Sequence, residues 1–273
     1  MMNNWLKYNG SIIPSSPPHI MVTESKVEIK KLLISSRSFF ARWVSNFDAS
    51  IDSSFWYVIN DKGLEIEDYS KNTRSKIRRG LKNFVVNKIE KSELIEHGYK
   101  VYVAAFKRYK TINKPMSSKK FIKHINSLDK GWEFWGVYSR ETDELIAYSQ
   151  NKIVTDQCYY STIKFHEKYL KMYSSYALYF AMNSYYLKER KLKYVNEGTR
   201  SILHETNVQS FLIDKFRFRK AYCKLHVQYH PLVTPIIFVL YPFRKIIVKS
   251  NLLFFRKIGV VLSQEKLRRN PNE

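Results

Sequence analysis

Two residues in the stretch from Leu192 to Tyr222 carry side chains that could move a proton. Glu197 closes a short apolar run and precedes Gly198, so its carboxylate is expected where a strand ends. His204 lies in the polar loop that follows, and an imidazole titrates near neutral pH. Both are candidates for general acid–base chemistry. A buried structural carboxylate and a surface histidine are the plainer alternatives.

The helix that must hold this loop has a clear start in the sequence. Thr206 and Gln209 form a capping box ahead of an apolar stripe with helical spacing. Asn207 falls in the first helical turn, where its side chain could serve a cofactor or only the helix cap. Aromatic and apolar residues that alternate after Phe216 predict the next strand.

A second group of candidates surrounds the start of another helix, predicted from Ser174 or Ser175 to about Lys188. This helix is apolar on most sides, so we expect it to be buried against a sheet. Helix N-termini present free N–H groups and a positive dipole end, and Lys168 and Lys171 lie beside this one. The pattern predicts an anion site, unless the lysines only keep the loop soluble.

A strongly cationic helix is predicted earlier in the chain, from Ser70 to Phe84. Its apolar residues share one face, and Arg74 and Arg78 are among the basic residues that crowd the other faces. These two arginines are candidates for binding an anionic substrate, although a solvated face on a basic protein explains them equally well. Thr199 and Arg200, directly after Glu197, are the other substrate-binding candidates.

The net charge of +23, from 47 Lys and Arg against 24 Asp and Glu, is the strongest global property. It predicts a surface that attracts polyanions, which include nucleic acid, phosphorylated ligands and an acidic membrane leaflet. The 273 residues can bury a proper core, and the aromatic content of 15% argues against long disorder. Neither Cys158 nor Cys223 has the spacing of a disulfide framework or a metal knuckle, so we predict no metal and a reducing compartment.

The two ends of the chain bear on its localisation. The N-terminus has no basic region followed by an apolar one, so we expect no signal peptide. The longest apolar stretch, residues 232–243, contains two prolines and is shorter than the roughly 20 residues that span a bilayer. Residues 232–269 alternate apolar patches with basic residues, as in interfacial elements. We expect a cytoplasmic protein that associates with the inner face of the membrane, or else a helical extension packed on the domain.

Three strand patterns precede the buried helix, at residues 132–139, 145–154 and 158–165. The connections between them have hairpin lengths and residue types, so an antiparallel meander is expected. A helix, the strand that ends near Glu197, the capped helix and a last strand follow. The sequence therefore predicts an α+β fold.

This order of elements from Trp132 to Tyr229 resembles the GNAT acyltransferase fold. The segments Arg74-Ser75-Lys76-Ile77-Arg78-Arg79, Glu197-Gly198-Thr199 and Phe216-Arg217-Phe218-Arg219-Lys220 resemble the FemAB-like branch, found among bacterial cell-envelope enzymes. The resemblance covers residues 55–230. It implies a mostly antiparallel sheet flanked by helices, with a reduced N-terminal part at 1–54 and a basic amphipathic segment at 231–273.

The same resemblance implies a function. Backbone N–H groups near Tyr173, Ser174 and Ser175 would hold the pyrophosphate of an acyl-CoA, with acetyl-CoA as the expected donor. The acceptor would be an amine or hydroxyl of a cell-envelope sugar or a related molecule, which could be lipid-linked. FemAB relatives proper use aminoacyl-tRNA instead. The chain departs from the GNAT pattern by having no glycine in residues 169–175 and by placing Ile213 where many members have a catalytic tyrosine.

Three functions stay open on the sequence alone. The first is acyl-CoA-dependent transfer to an amine or hydroxyl. The second is transfer from aminoacyl-tRNA, for which tRNA binding is the discriminating observation. The third is a non-catalytic basic module that binds nucleic acid or anionic lipid, whose affinity would collapse with salt and show no preference for CoA.

Overall fold

The computed structural model describes residues 4–108, 114–202, 207–249 and 253–271. The strands are β1 (Trp5–Tyr8), β2 (Ser11–Pro14), β3 (Phe40–Ala49), β4 (Trp56–Asn60), β5 (Phe84–Ile89), β6 (Trp132–Ser139), β7 (Leu145–Val154), β8 (Gln157–Phe165), β9 (Tyr194–Thr199) and β10 (Arg219–Tyr229). The helices are α1 (Lys26–Ser36), α2 (Lys71–Asn83), α3 (Lys91–Phe106), α4 (Ser118–Asn126), α5 (Glu167–Leu170), α6 (Ser174–Asn183), α7 (Asn207–Phe216), α8 (Thr234–Leu240), α9 (Arg244–Lys249) and α10 (Leu253–Arg269).

The chain forms two compact units. The central unit comprises Ile59–Gly198 and Val208–Arg219, and the terminal unit comprises Met1–Val58, Thr199–Asn207 and Lys220–Glu273. These units differ from the segments 1–54, 55–230 and 231–273 expected from the sequence. The difference arises because β10 pairs along its length with β3, which places both ends of the chain in one unit.

The central unit is built on strands in the order β9-β8-β7-β6-β5, all antiparallel except the β8–β9 pair. Neighbouring β7 residues point to opposite faces of the sheet. Helices pack against both of these faces. Tyr148 packs with Leu94 of α3 and Phe121 of α4, whereas the Asn151 amide contacts Met182 of α6 on the other side. This arrangement confirms the expected α+β class, with a mostly antiparallel sheet flanked by helices.

Helix α6 is the central packing element on its side of the sheet. Ala177, Leu178 and Met182 are fully buried, as the apolar sequence predicts. The helix continues into a π-helical segment, Ser184–Glu189, which carries the buried Tyr186. Such segments are uncommon and accommodate one extra residue per turn.

The terminal unit contains β1, β2, β3 and β10 as neighbours in that order, with β2 and β3 parallel and the other pairs antiparallel. The fully buried Ile12 packs with Ile29 and Leu33 of α1. The prolines and serines of residues 1–20 predict an irregular lead-in, and β1 and β2 correct this expectation at residues 5–8 and 11–14. Asn9 and Gly10 both have positive φ and form the turn of a short hairpin, a signal masked by the nearby prolines.

The C-terminal helices belong to the terminal unit. Leu262 of α10 is fully buried and packs with Ile237 of α8 and Ile247 of α9. The buried carboxylate of Glu265 accepts hydrogen bonds from the Tyr229 hydroxyl at 2.9 Å and from the Arg268 guanidinium. In the parts of the chain that are described, no helix has both the length and the apolar character needed to cross a bilayer.

Most predicted helix starts agree with the structure. Ser70 caps α2 and Ser117 caps α4, each by accepting a backbone N–H bond through its hydroxyl. Ser92 is the cap that the sequence predicts for α3, but this helix begins at Lys91 with Glu90 in the capping position, so Ser92 is already inside the first turn. The capping box at Thr206 lies outside the described residues.

The close packing of α2 against α6 gives a test of the fold. A Cβ added at Gly80 would lie 2.6 Å from the Tyr173 carbonyl oxygen and 3.2 Å from the Ala177 nitrogen, and neither backbone atom can move freely. We expect Gly80→Ala to destabilise the protein by about 1–3 kcal/mol in urea unfolding, although alanine is the better helix former. The exposed Ser75→Ala in the same helix is the control and should be neutral or slightly stabilising. Equal stability of Gly80→Ala and the wild type would contradict this packing.

Candidate active site

The site lies where two neighbouring strands of the central unit separate. β8 and β9 pair in parallel only from Gln157–Tyr194 to Tyr159–Asn196. Just beyond this point, β8 has one extra residue, Ser161, opposite the β7 step from Gln150 to Asn151. A bulge of this kind bends its strand, so β8 turns away from β9 as the pairing ends.

Strand β9 bends at the same level. The Asn196 side chain accepts a hydrogen bond from the Gly198 N–H at 2.7 Å, and Gly198 has φ of +109°. Residues with side chains adopt this backbone conformation only with strain, which accounts for the glycine. Tyr159 packs beside it, 3.6 Å from where a Cβ would stand. Glu197 is therefore the first β9 residue that is not paired with β8.

One oxygen of the Glu197 carboxyl is buried without compensation, although the residue as a whole is half-buried. Its Oε2 atom is inaccessible to solvent and has no hydrogen-bond partner. Burial raises the pKa of this carboxyl from 4.5 to about 8, because the charged form loses its hydration. A carboxyl that titrates close to physiological pH can both accept and release a proton during a reaction. The expectation that Glu197 is the site base stays a prediction, now with a physical basis.

Two buried tyrosines share the electrostatic environment of Glu197. Desolvation raises the pKa of both Tyr160 and Tyr179 well above 10, and the charge of Glu197 raises each further. The Tyr160 hydroxyl donates to the Asn183 side-chain oxygen at 2.9 Å. Tyr69 lies beside the same amide, and burial raises its pKa to about 12, with Asn183 acting in the opposite direction. The phenols thus stay neutral at any pH at which the protein would work.

A wall of aromatic rings encloses this group. Tyr179 lies 5.7 Å from Phe216 and 6.0 Å from Phe211, measured between ring centroids. Tyr176 meets Phe211 edge-on at 5.1 Å. Helix α7 supplies both phenylalanines, so the predicted capped helix does help to form the site. The apolar wall keeps the local dielectric low, which sustains the raised pKa of Glu197.

Sequence analysis did not identify Tyr160, Tyr179 or Asn183 as site residues. Asn183 could have been noticed, because it is a buried amide in an otherwise apolar helix. The tyrosines had no local signal, since Tyr160 comes near Glu197 through the pairing of β8 with β9 and Tyr179 through the packing of α6 on the sheet. Ile213 lies in α7, where the resemblance would place a catalytic tyrosine, and in this chain the phenols come from β8 and α6 instead.

The first turn of α6 is the place where the resemblance implies a CoA pyrophosphate. The Met172 and Tyr173 N–H groups already donate to the Tyr169 and Leu170 carbonyls, each at 3.1 Å. Tyr173 has φ of +67°, and α2 packs against its carbonyl through Gly80. The Met172 and Tyr173 N–H groups are therefore bonded within the protein, whereas the Ser174 and Ser175 N–H groups are the first two of α6, so a pyrophosphate at this turn stays a prediction.

The other predicted members of this anion site differ in their exposure to solvent. The Ser174 side chain is fully buried, with no partner for its hydroxyl, whereas Ser175 is half-buried and Lys171 is exposed. Lys76 of α2 reaches the turn instead, with its ammonium 5.5 Å from the centroid of the Tyr176 ring. Lys76 belongs to the basic segment quoted for the resemblance but was not among the predicted site residues.

The predicted substrate-binding arginines of α2 are engaged elsewhere. Arg74 donates to the backbone oxygen of Glu67 at 3.2 Å, and Arg78 pairs with the Glu67 carboxylate at 3.2 Å. Both partners of the second pair are well exposed, so the pair adds little stability. These arginines are held by a short 3₁₀ turn, Ile66–Asp68, on the surface of the central unit.

Thr199 and Arg200 belong to the terminal unit. Thr199 ends β9, and the Arg200 N–H donates to the Trp56 carbonyl at 2.9 Å. The Arg200 guanidinium lies 4.3 Å from the centroid of the Trp56 ring, and Lys220 lies 4.4 Å from the same ring. Desolvation lowers the pKa of Arg200, and its Nε is buried without a partner. The role of both residues in substrate binding stays a prediction.

The remaining candidates come from the loop before α7. His204 lies outside the described residues. Asn207 is the first residue of α7 and is exposed.

Cys158 and Cys223 are free thiols, and burial raises the pKa of each. Within the described ranges, no group of three or more His, Cys, Asp or Glu side chains could hold a metal ion.

Comparison with solved structures identifies the fold. FemX superposes with a TM-score of 0.58 over 86% of this chain and 85% of its own, at 9% sequence identity. L-PGS from Bacillus licheniformis matches with a TM-score of 0.49, 12% identity and coverage of 97% and 85%. A GCN5-related N-acetyltransferase from Sphaerobacter thermophilus matches with a TM-score of 0.41, 10% identity and coverage of 70% and 59%.

At these identities the comparison establishes the fold alone, and the likeness to FemX carries it. The chain has a GNAT-like fold of the FemAB kind, which confirms the resemblance drawn from its sequence. No family model matches the chain, and no curated protein matches it in sequence.

The raised pKa of Glu197 predicts a specific dependence of stability on pH. The folded protein keeps this proton up to about pH 8, whereas the unfolded chain releases it near 4.5, so folding stability falls as the pH rises between these values. In this interval the wild type should lose up to about 1.4 kcal/mol of folding stability per pH unit, and Glu197→Gln should not show this loss. Urea unfolding across the pH range measures both proteins.

The exposed Glu141→Gln is the matched control for this measurement and should leave the pH dependence unchanged. Parallel stability curves for Glu197→Gln and the wild type would contradict the assignment of an uncompensated buried carboxyl at this position.

Proposed function

We propose that this chain is an acyltransferase that moves an acyl group from an activated carrier to an amine or hydroxyl of a cell-envelope acceptor. The observation that carries the proposal is Glu197, a buried carboxyl with a pKa near 8 at the point where β8 and β9 separate. The FemAB-like fold supports a transferase in general terms. The envelope acceptor, a sugar or related molecule that could be lipid-linked, comes from the sequence resemblance.

The chemistry assigned to Glu197 is proton removal from the acceptor. An amine or hydroxyl becomes nucleophilic enough to attack an ester or thioester carbonyl as its proton passes to the carboxylate. The tetrahedral intermediate then collapses, the bond to the carrier breaks, and the carrier oxygen or sulfur takes up a proton. Tyr160, Tyr179 and the aromatic wall keep water away and hold the pKa of Glu197 in the working range.

As the donor we favour an aminoacyl ester carried by tRNA over acyl-CoA. The observations in favour are that, at the first turn of α6, Gly80 packs against the Tyr173 carbonyl and that the Met172 and Tyr173 N–H groups are bonded within the protein. A tRNA does not depend on that turn for its phosphates, and the net charge of +23 suits a polyanion. FemAB relatives use such donors. Acyl-CoA, the donor expected from the sequence, is the competing candidate.

Donor choice can be measured directly with the full chain. We expect the protein to deacylate aminoacyl-tRNA only when an envelope-precursor extract is added. Acetyl-CoA should give the protein little thermal stabilisation and should release no thiol. Uncharged tRNA in excess is the control for non-specific attraction and should only compete. Stabilisation and turnover with acetyl-CoA would reverse the donor assignment while leaving acyl transfer in place. No turnover with either donor, and polyanion binding that disappears with salt, would overturn acyl transfer.

Removal of the proton acceptor should abolish turnover. We expect Glu197→Gln to lower the rate by about 100-fold or more with whichever donor is active, and leave donor binding intact. Because the carboxylate is the reactive form, the wild-type rate should rise with pH and level off above about 8. Glu141→Gln should match the wild type in both measurements. Full activity of Glu197→Gln would remove Glu197 from the mechanism.

A further inference from the structure

The helices α8 and α9 expose an unusual amount of apolar surface. Of the sixteen large apolar side chains that are exposed in the described residues, seven lie between residues 232 and 248. We call these seven the apolar surface of α8 and α9. They are Leu232, Ile236, Phe238, Val239, Phe243, Ile246 and Val248. Scattered exposed apolar residues are normal, but a group this dense marks an interaction site.

This exposure is compatible with a well-packed position for the helices. Ile237 and Ile247 point inward, where they pack with Leu262 of α10. Their neighbours Phe238 and Ile246 are 75% and 73% exposed. Both helices therefore carry apolar residues on the inward and the outward side. The inward residues account for the folding of the segment, and the outward residues need another explanation.

The charged side chains within this segment are of one sign. Lys245 and Lys249 are exposed on α9 beside Phe243 and Ile246. The sequence contains neither Asp nor Glu between Asp214 and Glu265. The surface combines aliphatic and aromatic tips with a lysine border and has no acidic group in its own segment.

This combination fits an anionic lipid surface. Apolar tips enter the boundary between headgroups and acyl chains, while lysines remain at the level of the anionic headgroups. A site for nucleic acid would use cations without a dense aliphatic cover, because phosphates gain nothing from leucine or isoleucine. Helices of seven and six residues span only about 10 Å each, so they would lie in the interface plane.

We propose that the α8–α9 segment docks the protein on an anionic membrane leaflet, with Phe238, Phe243 and Ile246 inserted and with Lys245 and Lys249 on the headgroups. This inference is independent of the proposed acyl transfer, because it concerns a surface of the terminal unit and no catalytic residue. It would place the protein next to membrane-bound molecules.

The test is co-sedimentation of the full chain with vesicles. We expect binding to phosphatidylcholine vesicles that contain about 30% phosphatidylglycerol, and much weaker binding to phosphatidylcholine alone. The double variant Phe238→Ser, Ile246→Ser should lower the affinity by about tenfold or more. Met21→Ser is the matched control, because Met21 is also apolar, 75% exposed and in the terminal unit but outside this surface.

The lysines are tested by a charge reversal. Lys245→Glu, Lys249→Glu should weaken binding to the anionic vesicles, whereas reversal of the exposed Lys30 in α1 should have a smaller effect. Unfolding curves confirm that each variant is folded, which is expected because the changed side chains are exposed.

Three results would overturn the proposal. The first is an absence of vesicle binding by the wild type. The second is binding that Phe238→Ser, Ile246→Ser leaves unchanged, which would indicate charge attraction without insertion. The third is a dimer in light scattering that the same double variant dissociates, which would show that a second copy of the chain covers the surface.

Discussion

The separation of β8 from β9 is the constraint on which the candidate site depends. Parallel strands that stayed paired would bury Glu197 against a neighbouring strand and leave no room for a substrate. An extra residue in β8 and a glycine with positive φ in β9 bend both strands at the same level. Helix α6 then fills one side of the opening with aromatic residues. The position of the buried Glu197 carboxyl, at the end of the β8–β9 pairing, is therefore a property of the backbone.

Burial of Glu197 lowers the stability of its charged form but gives it the pKa of a useful base. A carboxyl in contact with a lysine or arginine would be more stable as an anion, but its pKa would fall and it would be a poor base at neutral pH. In the structure no hydrogen-bond donor reaches Oε2, and the groups that share its electrostatic environment include the neutral phenols of Tyr160 and Tyr179. Other carboxylates of the chain show the opposite solution, since Glu265 is held by two arginines and Asp129 by Lys152. Their pKa values are lowered.

Much of the fold was predictable because its signals are local. The β6–β8 meander follows from alternating side chains and hairpin connections, and α2 follows from its cap and apolar stripe. The candidate site was predictable only in part. Glu197 has a local signal at a strand end. Tyr160 of β8 and Tyr179 of α6 come near it only when distant segments of the chain pack together. Backbone irregularities such as the Ser161 bulge leave no mark in the side-chain pattern. The hairpin of β1 and β2 was missed because two four-residue strands are too short to show a period.

The composition of the terminal unit has a consequence for biosynthesis. β3 leaves the ribosome before its partner β10, which emerges about 180 residues later. The central unit is nearly continuous in the chain and can fold while translation proceeds. During that interval Ala41 and Val44 of β3 lack the strand that pairs with them, and the exposed nascent segment is a natural substrate for chaperones. The final turns of α10, with Glu265 on Tyr229, close the unit only after both β10 and α10 have been synthesised.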